Sequence, residues 1–472
     1  MAKQVSPGVL ALRKVVDDVY ADAREAKKQG KLVGWSSSKF PCELAEAFDL
    51  NVMYPENQAA GIAAQRDGEI MCQAAEDLGF DNDICGYARI SLAYAAGKRA
   101  SRKFDPETLE FIIDPNSGKP LKDENGKVVI DPETGKPKKD PKTQVPYTVL
   151  DDIHEIEALP ETTEKEIAYK NFRREAIKPY KQMRIPQPDF VLCCNNICNC
   201  MTKWYENIAR MCNIPLIMVD IPYNNTVEVS DSAVKYVRAQ FDNAIHELEK
   251  LTGKKFDEKK FELACKHANR TAQNWLKVCD FLQYKPAPMS GFDLFNHMAD
   301  VVTAFELLSK DLQKNIEEGT STLPFPEQYR VMFEGIPCWP KLPNLFKPLK
   351  ENGINVTAVV YAPAFGFVYN NMDEMARAYY KAPNSVCIEQ GVAWREGICR
   401  DNKVDGVLVH YNRSCKPWSG YMAEMQRRFT ADLGVPCAGF DGDQADPRNF
   451  NEAQYTTRVQ GLVEAMEANK KD

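Results

Sequence analysis

Histidine is scarce in this chain, with 5 in 472 residues, and no Cys-x-x-Cys pair occurs. The usual imidazole and paired-thiol patterns of zinc sites are therefore missing. No glycine-rich phosphate loop is present, which excludes ATP binding by a P-loop. No run of about 18 apolar residues exists, so no bilayer span is expected. Charge leans only mildly to one side: 60 basic against 67 acidic side chains, a net −7. Nucleic acids and membrane surfaces call for a concentrated basic face, so neither is expected as a partner. The amino-terminal stretch carries charges every few residues and reads as neither a secretion signal nor an anchor.

What the chain does have is cysteine, 15 of them. An odd number scattered through a long chain argues against a disulfide scaffold. A reducing, cytoplasmic setting is expected. The thiols are then either small buried hydrophobes or ligands for a soft metal.

Strand and helix patterns alternate at both ends of the chain. Strands are predicted at 31–38, Asn51–Tyr54, Phe190–Cys194 and Pro215–Ile221, with a helix at Thr202–Cys212. From Ser230 to about Gly319 the text is helical and amphipathic. A second strand–helix series starts near Tyr329 and ends with a helix at Glu452–Asn469. This layout predicts parallel α/β units. The expected division is 1–229, a helical region at 230–325, and 326–472. Residues 104–150 stand apart. The octapeptide from Ile113 to Pro120 recurs in altered form from Ile130 to Pro137, rich in Asp-Pro and Ser/Thr-Gly turn signals. It reads as an exposed hairpin-like insertion.

In open parallel sheets ligands bind beyond the carboxyl ends of strands. Cys85, Cys198 and Cys415 each lie in a polar loop leading to a helix, the last two directly after a predicted strand. Three converging thiolates suit an iron–sulfur cluster, with one iron of a four-iron cube left open. Cys200 rivals Cys198, and spacing does not decide between them. Cys42, Cys72, Cys212, Cys265, Cys279 and Cys399 sit in helix patterns and read as packing residues, as do Cys193 and Cys194 in a strand. The turn Gly34-Trp35-Ser36-Ser37-Ser38 offers hydroxyls and amides to an anion, although an ordinary helix cap explains it equally well. The stretch Asp441–Pro447 is acid-rich but lacks calcium-loop spacing, and reads as a capped, solvated turn. His410 is either a proton shuttle or a hydrogen-bonded structural histidine.

Several separated landmarks agree in order and spacing. They are Gly34-Trp35-Ser36-Ser37-Ser38 with Pro41 and Glu43; Glu76 and Gly79 followed by Cys85 and Arg89; Pro188-Asp189-Phe190 with Asn195-Asn196-Ile197-Cys198; and the run Phe440–Arg448 followed by Gln454 and Thr457-Arg458. Together they resemble the 2-hydroxyacyl-CoA dehydratase family, which includes benzoyl-CoA reductase subunits. The resemblance covers nearly the whole chain. It implies two flavodoxin-like parallel-sheet domains joined by a helical region. It implies a [4Fe-4S] cluster on Cys85, Cys198 and Cys415, a heterodimer with a homologous β subunit, and a separate ATP-hydrolysing iron–sulfur activator. Reduced FMN or riboflavin belongs to this type of complex as well, with no residue assigned. The implied substrate is an acyl-CoA, and the implied conversion is of (R)-2-hydroxyglutaryl-CoA to glutaconyl-CoA and water. Ser37, with Ser38 as alternative, falls at a family position near cluster and substrate. Arg89, Arg413 and Lys416 are the cations nearest the expected ligands in sequence. The alternatives are a related acyl-CoA reductase subunit and a non-catalytic electron-relay subunit.

That chemistry has a physical motive. The β-proton of a 2-hydroxyacyl thioester is not acidic, and acid–base catalysis alone only trims the barrier. One electron placed on the thioester carbonyl gives a ketyl that expels the α-hydroxide and acidifies that proton. Returning the electron closes the cycle without net redox change.

Overall fold

The computed structural model describes residues 6–178, 185–295 and 302–470. Among these residues, ten strands fall into two parallel sheets and one antiparallel pair. In chain order they are β1 Val33–Ser36, β2 Asn51–Met53, β3 Lys98–Arg102, β4 Thr148–Asp152, β5 Phe190–Cys194, β6 Leu216–Val219, β7 Tyr329–Glu334, β8 Ile354–Val359, β9 Gly406–Asn412 and β10 Cys437–Gly442.

The first sheet runs β2-β1-β5-β6 and the second β10-β9-β7-β8, all parallel. Within each sheet, the order of first appearance is 2-1-3-4. This is the flavodoxin-like winding, whose switch point lies between the first and third strands. Here the switch points are β1/β5 and β7/β9. The strands at both are buried along almost their whole length. Apolar runs such as Phe190-Val191-Leu192-Cys193-Cys194 suit strands covered on both faces.

The middle of the chain supplies long helices. Ser230 caps Asp231–Thr252 by accepting the Ala233 amide at 3.2 Å. Gly253 ends that helix in the left-handed region, φ +69°. Asp257 caps Glu258–Asp280 through the amides of Lys259 and Lys260. The amino-terminal helix Pro7–Lys28 packs against Val302–Glu317, and the Gly8 amide donates to Asp311 at 2.8 Å.

One buried apolar cluster includes Val33 and Val191 of the first sheet, Val331 and Val409 of the second, and Phe305 and Leu308 of the helical region. A second cluster packs Phe190 and Leu192 against Val237 and Phe241. The two sheets therefore share a core rather than sitting apart.

The 104–147 segment is an arm on the antiparallel pair β3–β4, closed by bridges such as Ile113 with Pro146 and Ile130 with Pro137. The duplicated octapeptides make the same turn twice. Asp114 accepts the Asn116 amide at 2.9 Å, and Asp131 accepts that of Glu133 at 2.9 Å. The strands β3 and β4 themselves escape the sequence reading, because basic Lys98–Arg102 carries no alternating apolar signal.

Candidate functional site

The loops beyond the first switch point reach the second α/β unit in the segment after β8. Asn196, after β5, donates to the Tyr379 carbonyl at 3.1 Å, and Lys39, after β1, donates to the Ala364 carbonyl at 2.8 Å. Cys415, after β9, is close enough to act electrostatically on Cys85 and Cys198, which brings the loop beyond β9 to the same place.

Four thiols meet there. Cys85 precedes the helix Gly86–Ala95, Cys198 follows β5, Cys200 opens the helix Cys200–Cys212, and Cys415 follows β9. All four are half-buried and free. Burial raises each thiol pKa, that of Cys415 to about 12. The neighbouring thiols push in the same direction: Cys200 and Cys415 act on Cys85, and Cys200, Cys415 and Cys85 act on Cys198. Such a group stays protonated unless a cation arrives to compensate the thiolates. Among the described residues, no three His, Cys, Asp or Glu side chains stand close enough to hold a single ion. A four-iron cube spreads its thiolates wider than one ion does. The soft donor set, with its thiols near enough to act on one another, fits such a cluster. Cys200 belongs to the group as fully as Cys198.

A carboxylate completes the site. Glu56 opens the helix Pro55–Ala64 after β2 and is buried. Its Oε2 accepts the Ser38 amide at 3.1 Å, and the Tyr205 hydroxyl lies 3.4 Å from its Oε1. Burial pushes its pKa up to about 7, against the opposing pull of Ser38, Tyr205 and Lys39. A carboxyl that titrates near neutrality is suited to taking up and releasing a proton. The Tyr361 phenol senses Glu56 on one side and Cys415 and Cys85 on the other, and pairs with Tyr87. Burial raises both phenols, so they stay protonated. The Tyr361 ring packs edge-on to Trp418 at 6.1 Å, next to the Cys415 loop.

The other sequence candidates take different places. Ser37 is fully buried, and its Oγ accepts the Cys194 amide at 3.1 Å. Half-buried Ser38 stands nearer Glu56. Arg89 is fully buried beneath Cys85. Its guanidinium meets Glu76 at 2.7 Å, Asp446 at 3.0 Å and the Ile84 carbonyl at 3.1 Å. It ties loops together from below the site. Arg413 is exposed beside Ser414 and Cys415, and Lys416 turns back to the Arg413 carbonyl at 2.9 Å. His410 is buried, with Nδ1 2.6 Å from the Ile336 carbonyl and its ring stacked on Phe440 at 4.8 Å. Burial lowers its pKa to about 4, so it is neutral near pH 7.

One expectation is overturned. The 441–447 stretch is not a solvated turn: Asp443, Gln444 and Asp446 are buried. Their polarity is absorbed by Arg89, by the amides of Ala445 and Asp446, and by the Cys85 loop. Composition signals a surface turn, but the partners come from more than 350 residues away. Glu56, Tyr87 and Tyr361 escape the sequence reading. The strand-end rule could have flagged Glu56, two residues past the predicted strand Asn51–Tyr54.

The fold and site define a class: a doubled flavodoxin-like α/β protein with four thiols gathered where loops of its two α/β units meet. Comparison with known proteins narrows the class. The family described as 2-hydroxyglutaryl-CoA dehydratase, D-component, matches residues 157–466. The chain is 70% identical to the (R)-2-hydroxyglutaryl-CoA dehydratase alpha subunit of Acidaminococcus fermentans, covering 99% of each. It is 42% identical to the (R)-phenyllactyl-CoA dehydratase alpha subunit of Clostridium sporogenes, covering 97% of this chain and 95% of that one. It is also 24% identical to a benzoyl-CoA reductase subunit of Thauera aromatica, over 60% of this chain and 71% of that one. The chain belongs to the 2-hydroxyglutaryl-CoA dehydratase D-component family.

Proposed function

We propose that this chain is the cluster-bearing α subunit of a radical 2-hydroxyacyl-CoA dehydratase, a hydro-lyase acting on (R)-2-hydroxyglutaryl-CoA. The observation that carries this reading is the convergence of thiols from both α/β units. Cys85, Cys198 and Cys415 would hold a [4Fe-4S] cluster. When bound, it supplies one electron and a Lewis-acidic iron to the thioester carbonyl.

The chain's own residues do the remaining work. Glu56 accepts the β-proton at a carboxylate oxygen, because its raised pKa matches a proton acceptor working near neutrality. The Ser38 amide holds that carboxylate in place, and the Tyr205 hydroxyl, which donates to the Ser36 carbonyl at 2.9 Å, lies beside it. The Tyr361 and Tyr87 phenols remain proton donors between Glu56 and the thiols. Arg413, exposed at the rim, meets the distal carboxylate of the glutaryl chain. His410 and Arg89 act as buried braces, and Ser37 fixes the strand end at Cys194. The apolar residues around the site exclude water from a reactive intermediate.

The reading includes a homologous β subunit and an ATP-hydrolysing iron–sulfur activator that delivers the electron. Reduced FMN or riboflavin is placed in the complex without a residue assignment. Fifteen free cysteines favour a reducing, cytoplasmic setting. Among the described residues, no helix is long and apolar enough to cross a membrane.

The test is anaerobic. Iron, acid-labile sulfide and the EPR signal are measured in the α subunit with its partner, before and after adding substrate. A cluster signal that changes with substrate supports the reading. An unchanged signal marks an electron relay, and net electron consumption per product marks a reductase.

A further inference from the structure

The Asp441–Pro447 stretch, buried against expectation, reaches the thiol group directly. The Gln444 side chain is fully buried, and its Nε2 donates to the Cys85 sulfur at 3.2 Å. The other end of the same amide is fixed. Ser414 Oγ accepts the Gly86 amide at 3.0 Å and donates to Gln444 Oε1 at 3.4 Å. The Ser414 hydroxyl could serve either end of the amide, but a carbonyl oxygen turned toward a ligating thiolate would be repelled, so the N–H faces sulfur.

The backbone around it is equally constrained. The Gln444 carbonyl accepts the Trp339 amide at 3.2 Å. Asp443 Oδ1 accepts the amides of Ala445 at 2.8 Å and Asp446 at 3.0 Å, closing the turn. Gly86, next to Cys85, lies so close that a Cβ there would stand 2.7 Å from Asp443 Oδ1 and 2.9 Å from the Ala445 Cβ. The lack of a side chain at Gly86 lets the two loops meet.

We propose that Gln444 tunes the electron affinity of the cluster through its N–H···S bond to Cys85, as a positioning residue rather than a catalytic one. This rests on the reading of Cys85 as a cluster ligand. Reduction places more negative charge on the ligand sulfurs. A hydrogen bond to sulfur stabilises the reduced form more than the oxidised one and raises the potential. The bond would ease the entry of the electron while leaving it available to the substrate. The chain uses an amide here, which donates without adding a charge.

The test is a redox titration of the reduced-cluster EPR signal in the α–β complex, with iron content measured in parallel. Gln444→Met keeps the length and apolar fit but removes the N–H, and Gln444→Glu replaces the donor by a negative charge. Both are expected to move the midpoint to more negative potential, Gln444→Glu further, with iron content retained. If Gln444→Met loses iron, Ser414→Ala carries the test, because it keeps Gln444 but releases its orientation. A smaller shift in the same direction then supports the proposal. An unchanged midpoint in a variant with full iron overturns it. Loss of iron in all three variants overturns it too, since the amide is then only a structural brace. Full iron in Cys85→Ser marks a different failure, that of the ligand assignment.

Discussion

Among the residues whose proton affinities burial sets, Glu56 and His410 lead to opposite expectations. Glu56 has its pKa raised to about 7, so its carboxylate form fills in as pH rises through neutrality. A proton acceptor with this value gives an activity that climbs to a plateau above about pH 7. Glu56→Gln should remove that limb and lower kcat about a hundredfold or more. A pH–rate profile of the activated enzyme reads both effects, and an unchanged acid limb in the variant would place the acceptor elsewhere. His410 is the reverse case, with its pKa lowered to about 4 from the ordinary value of 6.5. Between those values the unfolded chain binds a proton that the folded chain refuses. Stability is therefore present above about pH 6.5 and is lost as pH falls toward 4, by up to roughly 3 kcal/mol. Denaturant melts at pH 7 and pH 5 should diverge accordingly, and His410→Phe should narrow the gap.

At the level of elements, close packing across the first switch point fixes the register of β1 against β5. Gly34 pairs with Phe190, and a Cβ there would stand 2.3 Å from the Phe190 ring. Gly34→Ala should therefore displace β1 and the Ser37–Ser38 turn that follows it. The expected cost is about 1–3 kcal/mol, the range for overpacking a core. Thermal unfolding measures that cost, and a fall in substrate affinity larger than the stability loss would show that the turn has moved. Helix signals are the most legible part of the sequence. Ser230, Asp257 and Gly253 mark their helix ends by local chemistry alone. The strand pair β3–β4 is not legible, since Lys98–Arg102 is held by its partner strand rather than by any pattern of its own. The acid-rich 441–447 stretch misleads because polar composition reports exposure only when no distant partner intervenes.

At the scale of the whole molecule, the thiols divide by position. Cys85, Cys198, Cys200 and Cys415 share the site, whereas Cys265 and Cys279 lie on the helix Glu258–Asp280. Serine at Cys85 or Cys415 should abolish dehydration and lower iron and sulfide content, and serine at Cys265 or Cys279 should leave both intact. Comparing Cys198→Ser with Cys200→Ser separates the two rivals, and full iron in the first shifts the assignment to Cys200. The site also depends on contacts that cross between the two α/β units, including Lys39 to Ala364, Asn196 to Tyr379 and the Tyr369–Glu43 hydrogen bond. The two sheets and the helical middle share one apolar cluster, which explains how three stretches of chain hold a single site.

The sequence by itself determined the alternation of strand and helix, the polar strand-end loops that carry Cys198 and Cys415, the polar loop before a helix that carries Cys85, and the family landmarks spread along the chain. These are local properties, written in periodicity, caps and turn chemistry. Tertiary structure alone decided that Cys200 joins the thiol group, that Glu56 titrates near neutrality, that Arg89 is a buried brace, and that Gln444 reaches the Cys85 sulfur. Each of these depends on desolvation or on partners hundreds of residues away. Burial and long-range pairing belong to the packed chain and not to any local stretch of it.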